Sequence, residues 1–208
     1  MDGDELEEVD EFVYLGSLVT AENNTSKEIR KRILAGNRAY FGLRKALRSG
    51  RVRRRIKLTL YKTLIRPVIL HGHESCTMLP EDQRALGVLE RKVLQNTDGA
   101  WRRCMNHELH ALLGEPTITH MVKIGRLRCA GHVIRMPDDS PTKMNFCCEV
   151  PSGGTGRRRG AQRARWMDQI EEDLRTIRRL SGWRTTAQDR VVWGRLIATA
   201  RATPVLGW

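Results

Sequence analysis

A chain of 208 residues with 40% hydrophobic content can bury a core, so we expect one domain or two small ones and exclude disorder throughout. The formal net charge of +13 favours a polyanionic partner, either nucleic acid or an acidic membrane surface. No apolar run approaches the roughly 20 residues that cross a bilayer, and the acidic segment Met1–Glu11 is unlike a signal or transit peptide, so we expect a nuclear or cytoplasmic protein.

The charge is unevenly distributed along the chain. Eight acids and no Lys or Arg precede Lys27, so the rest of the chain is more basic than the total indicates. These acids are Asp2, Asp4, Glu5, Glu7, Glu8, Asp10, Glu11 and Glu22. A solvated surface position explains any single arginine, but charge density sets non-specific phosphate affinity, so we expect nucleic acid as the partner of the whole.

Five cysteines in a chain without a secretion signal favour reduced thiols over a disulfide framework, because an odd number cannot pair completely. They are Cys76, Cys104, Cys129, Cys147 and Cys148.

The first predicted elements are a β-element and a long helix. Phe12 to Thr20 is rich in β-forming residues and precedes a turn-like segment, which predicts a strand or hairpin. Thr25 and Glu28 have capping-box spacing. The apolar residues that follow recur at alternating steps of four and three, which predicts an amphipathic helix ending near Ser49 and Gly50. They are Ile29, Ile33, Gly36, Tyr40, Leu43 and Leu47.

Two further helices are predicted from periodicity. The second runs from about Arg53 to Arg66, and Pro67 should kink or end it. Its inward face is predicted to carry Ile56, Leu60 and Leu64, with Tyr61 and Ile65 adjacent. The third begins near Pro80, which suits a first helical turn, and turns Leu86, Leu89 and Val93 inward. Short helices are predicted from Asn106 to Leu113 and from Thr117 to about Met136.

The segment from Pro137 to Gly160 is rich in proline and glycine and is predicted to be a flexible linker. Beyond it, Trp166, Ile170, Leu174 and Ile177 mark one more helix. Thr186 with Asp189 can cap a last helix, which carries Trp193, Leu196, Ile197 and Ala200.

The predicted fold is mainly α, with a short N-terminal β-hairpin, a three-helix bundle, further short helices and a small helical C-terminal tail. The predicted divisions are 1–25, an acidic lead and β-element; 26–136, a helical region; 137–160, the linker; and 161–208, a small helical region.

No cluster of carboxylates of the kind that holds two catalytic metal ions is evident in the sequence. Asp138 and Asp139 lie in the predicted linker, where a surface turn explains them. Glu171, Glu172 and Asp173 lie early in a predicted helix, where they can complement its positive end or pair with Arg175 and Arg178. We therefore assign no catalytic residue, no metal site and no cofactor.

Zinc and nucleotide sites have little support. Cys104, His107 and His110 are spaced three apart, but the first and third would point about 120° apart on a helix, so ordinary core and surface roles are preferred. Gly153 to Gly156 lack the lysine and serine of a phosphate-binding loop.

The basic residues form two candidate nucleic-acid-binding clusters. The first joins the end of the first helix to the start of the second, where two helix ends would share one positive corner. Its members are Arg44, Lys45, Arg48, Arg53, Arg54, Arg55 and Lys57, with Arg51 between them. The second lies in a glycine-bounded segment before Trp166 and consists of Arg157, Arg158, Arg159, Arg163 and Arg165.

The second cluster has two interpretations. A flexible basic segment can become ordered on phosphates while Trp166 stacks on an unpaired base. Alternatively, Trp166 is a core residue and the arginines serve nuclear import or solubility.

Six ordered segments resemble the reverse transcriptases of non-long-terminal-repeat (LINE-type) retrotransposons, including endonuclease-reverse transcriptases. Phe12 and Tyr14–Ser17 resemble the family's FxYLGS segment, and Leu60–Pro67 with Gly72 and Glu74 resembles LYKTLIRPVLLYGSETW. Four further segments follow in the family's order. They are Trp101, Arg102, Asn106, Glu108 and Leu109; Arg126–Met136; Gly156–Trp166; and Ala187, Asp189, Arg190 and Trp193.

The resemblance covers nearly the whole chain and implies the primer grip, thumb and C-terminal region of an RNA-directed DNA polymerase. It assigns Tyr14, Leu15 and Gly16 to the primer grip, although a buried strand position explains Tyr14 equally well. The implied partners are RNA, DNA and RNA–DNA hybrid, and the implied role is holding template and primer. The family's palm, with its catalytic aspartates and Mg²⁺, and its endonuclease would lie upstream of Met1, and the sequence leaves open whether they were lost or belong to a longer product of the same locus.

The sequence also departs from the family. Cys76 and Cys129 stand where tryptophan is usual, His71 stands where tyrosine is usual, and Ala161 with Gln162 replaces Arg-Pro, which indicates a diverged copy. Two alternatives therefore remain: a basic helical adaptor that binds protein or anionic membrane, and an unselected remnant of an element.

Overall fold

The computed structural model describes residues 8–98, 114, 116–147, 165–177 and 182–202. Their contacts divide the chain into two compact units. The first contains the described residues up to Gly72 and those from Met78 to Asp98. The second contains His73–Thr77 and the described residues from Gly114 onward. Among the described helices, none is both long and apolar enough to span a membrane.

The predicted β-element is an antiparallel hairpin. Strand β1 (Glu11–Tyr14) pairs with β2 (Ser17–Thr20), with Glu11 opposite Thr20 and Tyr14 opposite Ser17. The turn contains only Leu15 and Gly16, and both have positive φ, 47° and 85°. Two positive φ values are what a tight hairpin turn requires, because they match the twist of the flanking strands.

Helix α1 (Thr25–Arg48) confirms the long amphipathic helix, and Ser49 is its C-cap. Ile29, Tyr40 and Leu47 are buried. The predicted capping box is replaced by another arrangement: Asn24 occupies the N-cap without a side-chain cap hydrogen bond. The Glu28 carboxylate accepts the Leu18 N–H (2.7 Å) and the Arg32 Nε–H (2.5 Å), which ties the helix to the hairpin.

The second predicted helix is longer than expected and contains a π turn. Helix α2 (Arg54–Leu60) continues through the π turn Tyr61–Ile65 into helix α3 (Arg66–Ile69). The Arg66 N–H donates to Tyr61 O, five residues back. Proline cannot donate to the preceding turn and its ring crowds that turn's carbonyl, so a wider turn just before Pro67 lets the helix pass through it.

The predicted inward face of this helix was partly wrong. Tyr61 and Ile65 are buried as expected, at 1% and 0% exposure, but Ile56 and Leu64 are about half exposed. The buried positions follow steps of four along the chain. They are Lys57, Tyr61, Ile65 and Ile69.

Helix α4 (Pro80–Asp98) completes the first unit and confirms the third predicted helix, including its buried Leu86, Leu89 and Val93. It packs on α1, where Gly36 allows close approach: a Cβ there would lie 3.2 Å from Leu89 Cδ2 of α4. Two polar contacts tie α4 to neighbouring elements. The Tyr61 hydroxyl donates to Glu90 Oε1 (2.9 Å), and the Ser26 hydroxyl donates to Asp82 Oδ2 (2.8 Å).

The second unit is built around helix α5 (Ile118–Ile134). Thr117 caps it, since its Oγ1 accepts the His120 N–H (3.1 Å). This confirms the predicted helix start, and the helix ends two residues before the predicted Met136. Its contacts place it with the C-terminal helices, whereas the sequence grouped it with residues 26–136. The predicted helix Asn106–Leu113 lies outside the described residues.

Part of the predicted linker is helical. Helix α6 (Pro141–Cys147) follows Ser140, and Pro141 suits its first turn because the missing N–H is not needed there. Residues 148–160 of the predicted linker lie outside the described residues. The expectation of a continuous flexible linker was therefore wrong for its first half.

Three C-terminal helices close the second unit: α7 (Trp166–Ile177), α8 (Trp183–Gln188) and α9 (Arg190–Ala202). Asp189 caps α9, accepting the N–H groups of Val191 and Val192 at 2.8 and 3.1 Å. Thr186, the predicted capping partner, lies within α8. A single apolar cluster joins these helices to α5. It includes Leu127, Ile170, Leu174, Trp183, Trp193, Leu196, Ile197 and Ala200.

A short segment from the connection between α3 and α4 belongs to this second unit. The Trp166 indole N–H donates to Glu74 O (2.8 Å), and Arg126 Nη1–H donates to Cys76 O (3.4 Å). Gly125 leaves space for the His73 ring, because a Cβ at Gly125 would overlap it. Residues 73–77, called the strap below, are therefore held by three buried residues of α5 and α7.

Candidate nucleic-acid interface

The first predicted cluster forms an exposed basic surface in the first unit. Helix α1 ends at Arg48 and α2 begins at Arg54, and the intervening turn is closed by the Val52 N–H, which donates to Ser49 O (3.4 Å). Seven cationic residues at these two helix ends are exposed, and we call them the basic corner. They are Arg44, Lys45, Arg48, Arg51, Arg53, Arg54 and Arg55.

The two halves of the basic corner differ in local electrostatics. Lys45 and Arg48 lie in the last turn of α1, where positive charge complements the negative end of the helix dipole. Arg54 and Arg55 lie at the start of α2, whose first turn carries no acid. Positive charge there opposes the dipole by up to about 1 kcal/mol per residue at low salt.

Lys57 does not share the surface of the other predicted members. Its side chain is 5% exposed, on the same buried stripe as Tyr61. A side chain that is this buried cannot contact a phosphate unless the surrounding structure rearranges. The basic corner therefore excludes Lys57.

Only one member of the second predicted cluster can be placed. Arg165 is exposed immediately before α7, and its backbone N–H donates to Asp168 Oδ2 (3.3 Å). Arg157, Arg158, Arg159 and Arg163 lie outside the described residues.

Trp166 is a core residue and not an exposed stacking platform. It is 8% exposed, its ring centroid lies 4.6 Å from that of Phe146, and its indole N–H is bonded to the strap. Burial on this scale leaves no face for a base, which overturns the stacking interpretation and supports the core interpretation.

The hairpin turn presents Tyr14 and Leu15 to solvent. Tyr14 is 62% exposed and Leu15 is 79% exposed, so the interpretation of Tyr14 as a buried strand residue was wrong. The turn itself is held from behind: Arg32 Nη2–H donates to Gly16 O (2.6 Å), and His71 Nε2 lies 3.1 Å from Leu15 O. A fixed turn thus carries two exposed apolar side chains.

The acidic residues form no candidate catalytic site among the described residues. Asp138 is an exposed surface residue paired with Lys143 Nζ (2.6 Å). Glu172 pairs with Arg175 at 3.5 Å, as the sequence suggested, but Asp173 is buried and pairs with Arg126. No group of three potential metal ligands occurs in the described part of the chain, and Cys104, His107 and His110 lie outside it.

Among the described cysteines, Cys76 and Cys129 are half-buried thiols. Burial, with the nearby Glu74 carboxylate, raises the pKa of the Cys129 thiol above its ordinary value. Cys129 is therefore protonated and a poor nucleophile near neutral pH.

One sequence signal for the basic surface was missed. No Asp or Glu occurs from Ile29 to His73, so every charged side chain in that stretch is cationic. The stretch covers most of α1, the basic corner, α2 and α3. It indicates a longer positive surface than the predicted clusters, one that also includes the exposed Arg30 and Arg38.

Comparison with known proteins gives one similarity. No family model and no solved structure matches the chain. The chain is similar to the transposon-derived protein F52C9.6 of Caenorhabditis elegans: 200 aligned residues are 28% identical and cover 91% of this chain and 70% of the worm protein. The similarity indicates a transposable-element origin for this chain.

Proposed function

We propose that this chain is the nucleic-acid-binding C-terminal part of a retrotransposon reverse transcriptase and that it holds an RNA template and a DNA primer. The observation that carries the proposal is the basic corner, where two helix ends place seven exposed cationic residues together. The similarity to a transposon-derived protein supports the element origin. The six ordered segments that resemble LINE-type enzymes support the polymerase assignment.

The charge pattern favours a phosphate chain over other partners. Arg54 and Arg55 lie in the first turn of α2, which carries no acid, so a bound polyanion would meet positive side chains at the positive end of the helix dipole. Each cation near a phosphate releases counterions, which gives affinity without sequence preference. The basic corner is thus suited to backbone contacts that position a template–primer rather than to reading bases.

The hairpin provides the second element of the proposal. By resemblance, Tyr14, Leu15 and Gly16 are the primer grip, and the exposed Tyr14 and Leu15 side chains on a fixed turn are consistent with a contact to the primer. The catalytic aspartates and Mg²⁺ of the family belong to its palm. We therefore propose that this chain alone binds template–primer and incorporates no nucleotide.

Binding of the purified chain to a fluorescent RNA–DNA hybrid, measured by anisotropy across a salt series, tests the proposal. Several phosphate contacts predict binding at ~50 mM salt and a slope of at least about −3 in log K against log salt. No binding at ~50 mM salt would falsify the binding role.

Two parallel measurements separate the alternatives. Primer extension with Mg²⁺ and all four nucleotides should give no product, and extension by this chain alone would contradict the assignment of catalysis to another part of the enzyme. A vesicle-flotation assay with anionic lipid should show weaker binding than the hybrid at the same salt. Stronger binding to vesicles would favour the adaptor alternative.

A further inference from the structure

An exposed aromatic ring lies in the part of α1 that contains no acidic residue, and core packing does not explain its position. Phe41 is 54% exposed, whereas its neighbour Tyr40 is 3% exposed and packs inward. The two rings meet edge to face, with centroids 5.3 Å apart and planes inclined by 63°. The buried Tyr40 thus supports the exposed Phe41 from the core side.

Cations surround the Phe41 ring. Lys92 Nζ of α4 lies 4.7 Å from the ring centroid and donates to Asn37 Oδ1 (3.0 Å), and Arg44 Cζ lies 5.9 Å from the centroid. Arg38 and Lys45 are exposed one turn before and one turn after Phe41. Residues three and four apart on a helix have Cβ atoms about 5–6 Å apart, so these two cations flank the ring closely.

An exposed glycine follows Phe41 in α1. Gly42 lies between Arg38 and Lys45 on the same helix face, and a Cβ at this position would meet no atom within 4 Å apart from its chain neighbours and the helix backbone. Packing therefore does not require glycine there, although glycine in a helix interior is markedly less favourable than alanine. The close approach of a ligand is a role that glycine commonly has.

We propose that Phe41, with Arg38, Gly42 and Lys45 around it, is a stacking site for one unpaired base of single-stranded nucleic acid. The occupant follows from complementarity: a flat apolar face set among cations fits a base whose neighbouring phosphates meet Arg38 and Lys45. Bases within a duplex have no free face and cannot stack on this ring. The proposal rests on the proposed nucleic-acid function and adds a preference for an unpaired stretch beside the duplex.

Binding of the full chain to two fluorescent probes tests the site: an oligo(dT) strand of about 12 nucleotides, within the usual span of single-strand sites, and an RNA–DNA hybrid of similar length. Phe41→Ala should weaken oligo(dT) binding about five-fold or more, the lower end of the effect of losing one stacked base. Hybrid binding should change less than about two-fold, because phosphate contacts dominate it.

Three further variants separate stacking from a structural role. Leu34→Ala removes an apolar side chain of similar exposure, 60%, from the same helix and should leave both affinities unchanged. Phe41→Tyr keeps the ring and should retain oligo(dT) binding. Gly42→Leu should weaken oligo(dT) binding by placing a bulky side chain between Arg38 and Lys45, yet it should not lower the melting temperature, because leucine is a far better helix former than glycine.

An oligo(dT) affinity of Phe41→Ala within about two-fold of the parent chain would overturn the stacking site, and so would equal losses for the two probes. If Phe41→Ala instead changes the sedimentation coefficient while leaving oligo(dT) binding intact, the face joins copies of this chain and the proposal is wrong. A parent chain that binds neither probe would overturn the proposed function itself. A parent chain that binds the hybrid, with no effect of Phe41→Ala, would overturn the stacking site alone.

Discussion

Arg126 and Asp173 form a buried ion pair in the second unit, with Arg126 Nη2 lying 2.8 Å from Asp173 Oδ2 and the two side chains 1% and 3% exposed. Arg126 also donates to Asp173 through Nε (2.9 Å), to Gln169 Oε1 and to Cys76 O. Lys123 Nζ lies 3.8 Å from the other carboxylate oxygen. One buried arginine thereby connects α5, α7 and the strap.

Asp173→Asn should destabilise the protein by roughly 3–5 kcal/mol, because it leaves the Arg126 guanidinium buried without its counter-charge. The adjacent Glu172→Gln is a matched control, since Glu172 is 67% exposed and its surface pair with Arg175 should contribute less than about 1 kcal/mol. Urea unfolding at neutral pH measures both changes. If the two substitutions lower the free energy of unfolding equally, the buried pair contributes no more to stability than the surface pair.

His120 should make stability depend on pH. Burial lowers its pKa below the ordinary value of 6.5, and the nearby Lys123 acts in the same direction, while the hydrogen bond of Nε2 to Ala200 O opposes them. The folded protein then binds fewer protons here than the unfolded chain, so stability is full above about pH 6.5 and falls as pH drops towards the lowered folded pKa.

Thermal melting from about pH 7.5 down to about pH 5.5, which crosses the ordinary histidine pKa of 6.5, checks the effect of His120. His120→Gln retains a donor for Ala200 O but does not titrate, so its melting temperature should depend less steeply on pH than that of the parent chain. Parallel curves for the two proteins would show that His120 does not contribute.

Gly131→Ala should destabilise the second unit by about 1–3 kcal/mol, the usual range for overpacking. A Cβ at Gly131 would overlap the Trp193 indole, whose N–H donates to Leu127 O (3.0 Å) in the core. Gly194→Ala is the control: it lies in α9 with no atom within 4 Å of its Cβ position, so alanine should stabilise the helix by up to about 1 kcal/mol. Chemical denaturation should therefore give opposite signs for the two glycines.

Neutralising Arg53, Arg54 and Arg55 together to glutamine should weaken hybrid binding and reduce the salt slope by about one for each of these cations that binds a phosphate in the parent chain. All three side chains are exposed, so the far-ultraviolet circular dichroism spectrum should be retained, and the melting temperature should not fall, because Arg54 and Arg55 oppose the dipole of α2. The control variant replaces three exposed arginines of α9 with glutamine, which removes the same amount of positive charge from the second unit. They are Arg190, Arg195 and Arg201. If both triple variants weaken binding equally, net charge and not the basic corner determines the affinity.

The sequence predicted those elements whose signals are local. Periodic apolar residues gave α1, α4 and α7, and Thr117 marked the start of α5 through its cap. The inward face of α2 was predicted wrongly. In a regular α-helix, residues four apart differ by about 40° in direction, so Lys57, Tyr61, Ile65 and Ile69 would not be expected to share one buried face. The π turn before Pro67 reduces this angular difference, and no pattern in the sequence predicted the π turn.

The sequence likewise predicted some residues of the candidate interface correctly and others wrongly. Exposed cations at two helix ends follow from local composition, so the basic corner was predictable once both helices were placed. The burial of Lys57 and Trp166 depends on tertiary packing, which a single sequence does not reveal. The pairing of Arg126 with Asp173 joins residues 47 positions apart, so charge pattern alone assigned Asp173 to its own helix.

The strap makes the two units interleaved in the chain and not tandem. A truncated chain that began after residue 99 would retain Trp166 and Arg126 but lack Glu74 O and Cys76 O, their backbone acceptors. Buried donors without acceptors cost roughly 1–3 kcal/mol each, so dissection at a single peptide bond would yield a weakened second unit. Expression of that half alone would need the five residues of the strap supplied in trans or grafted to its N-terminus.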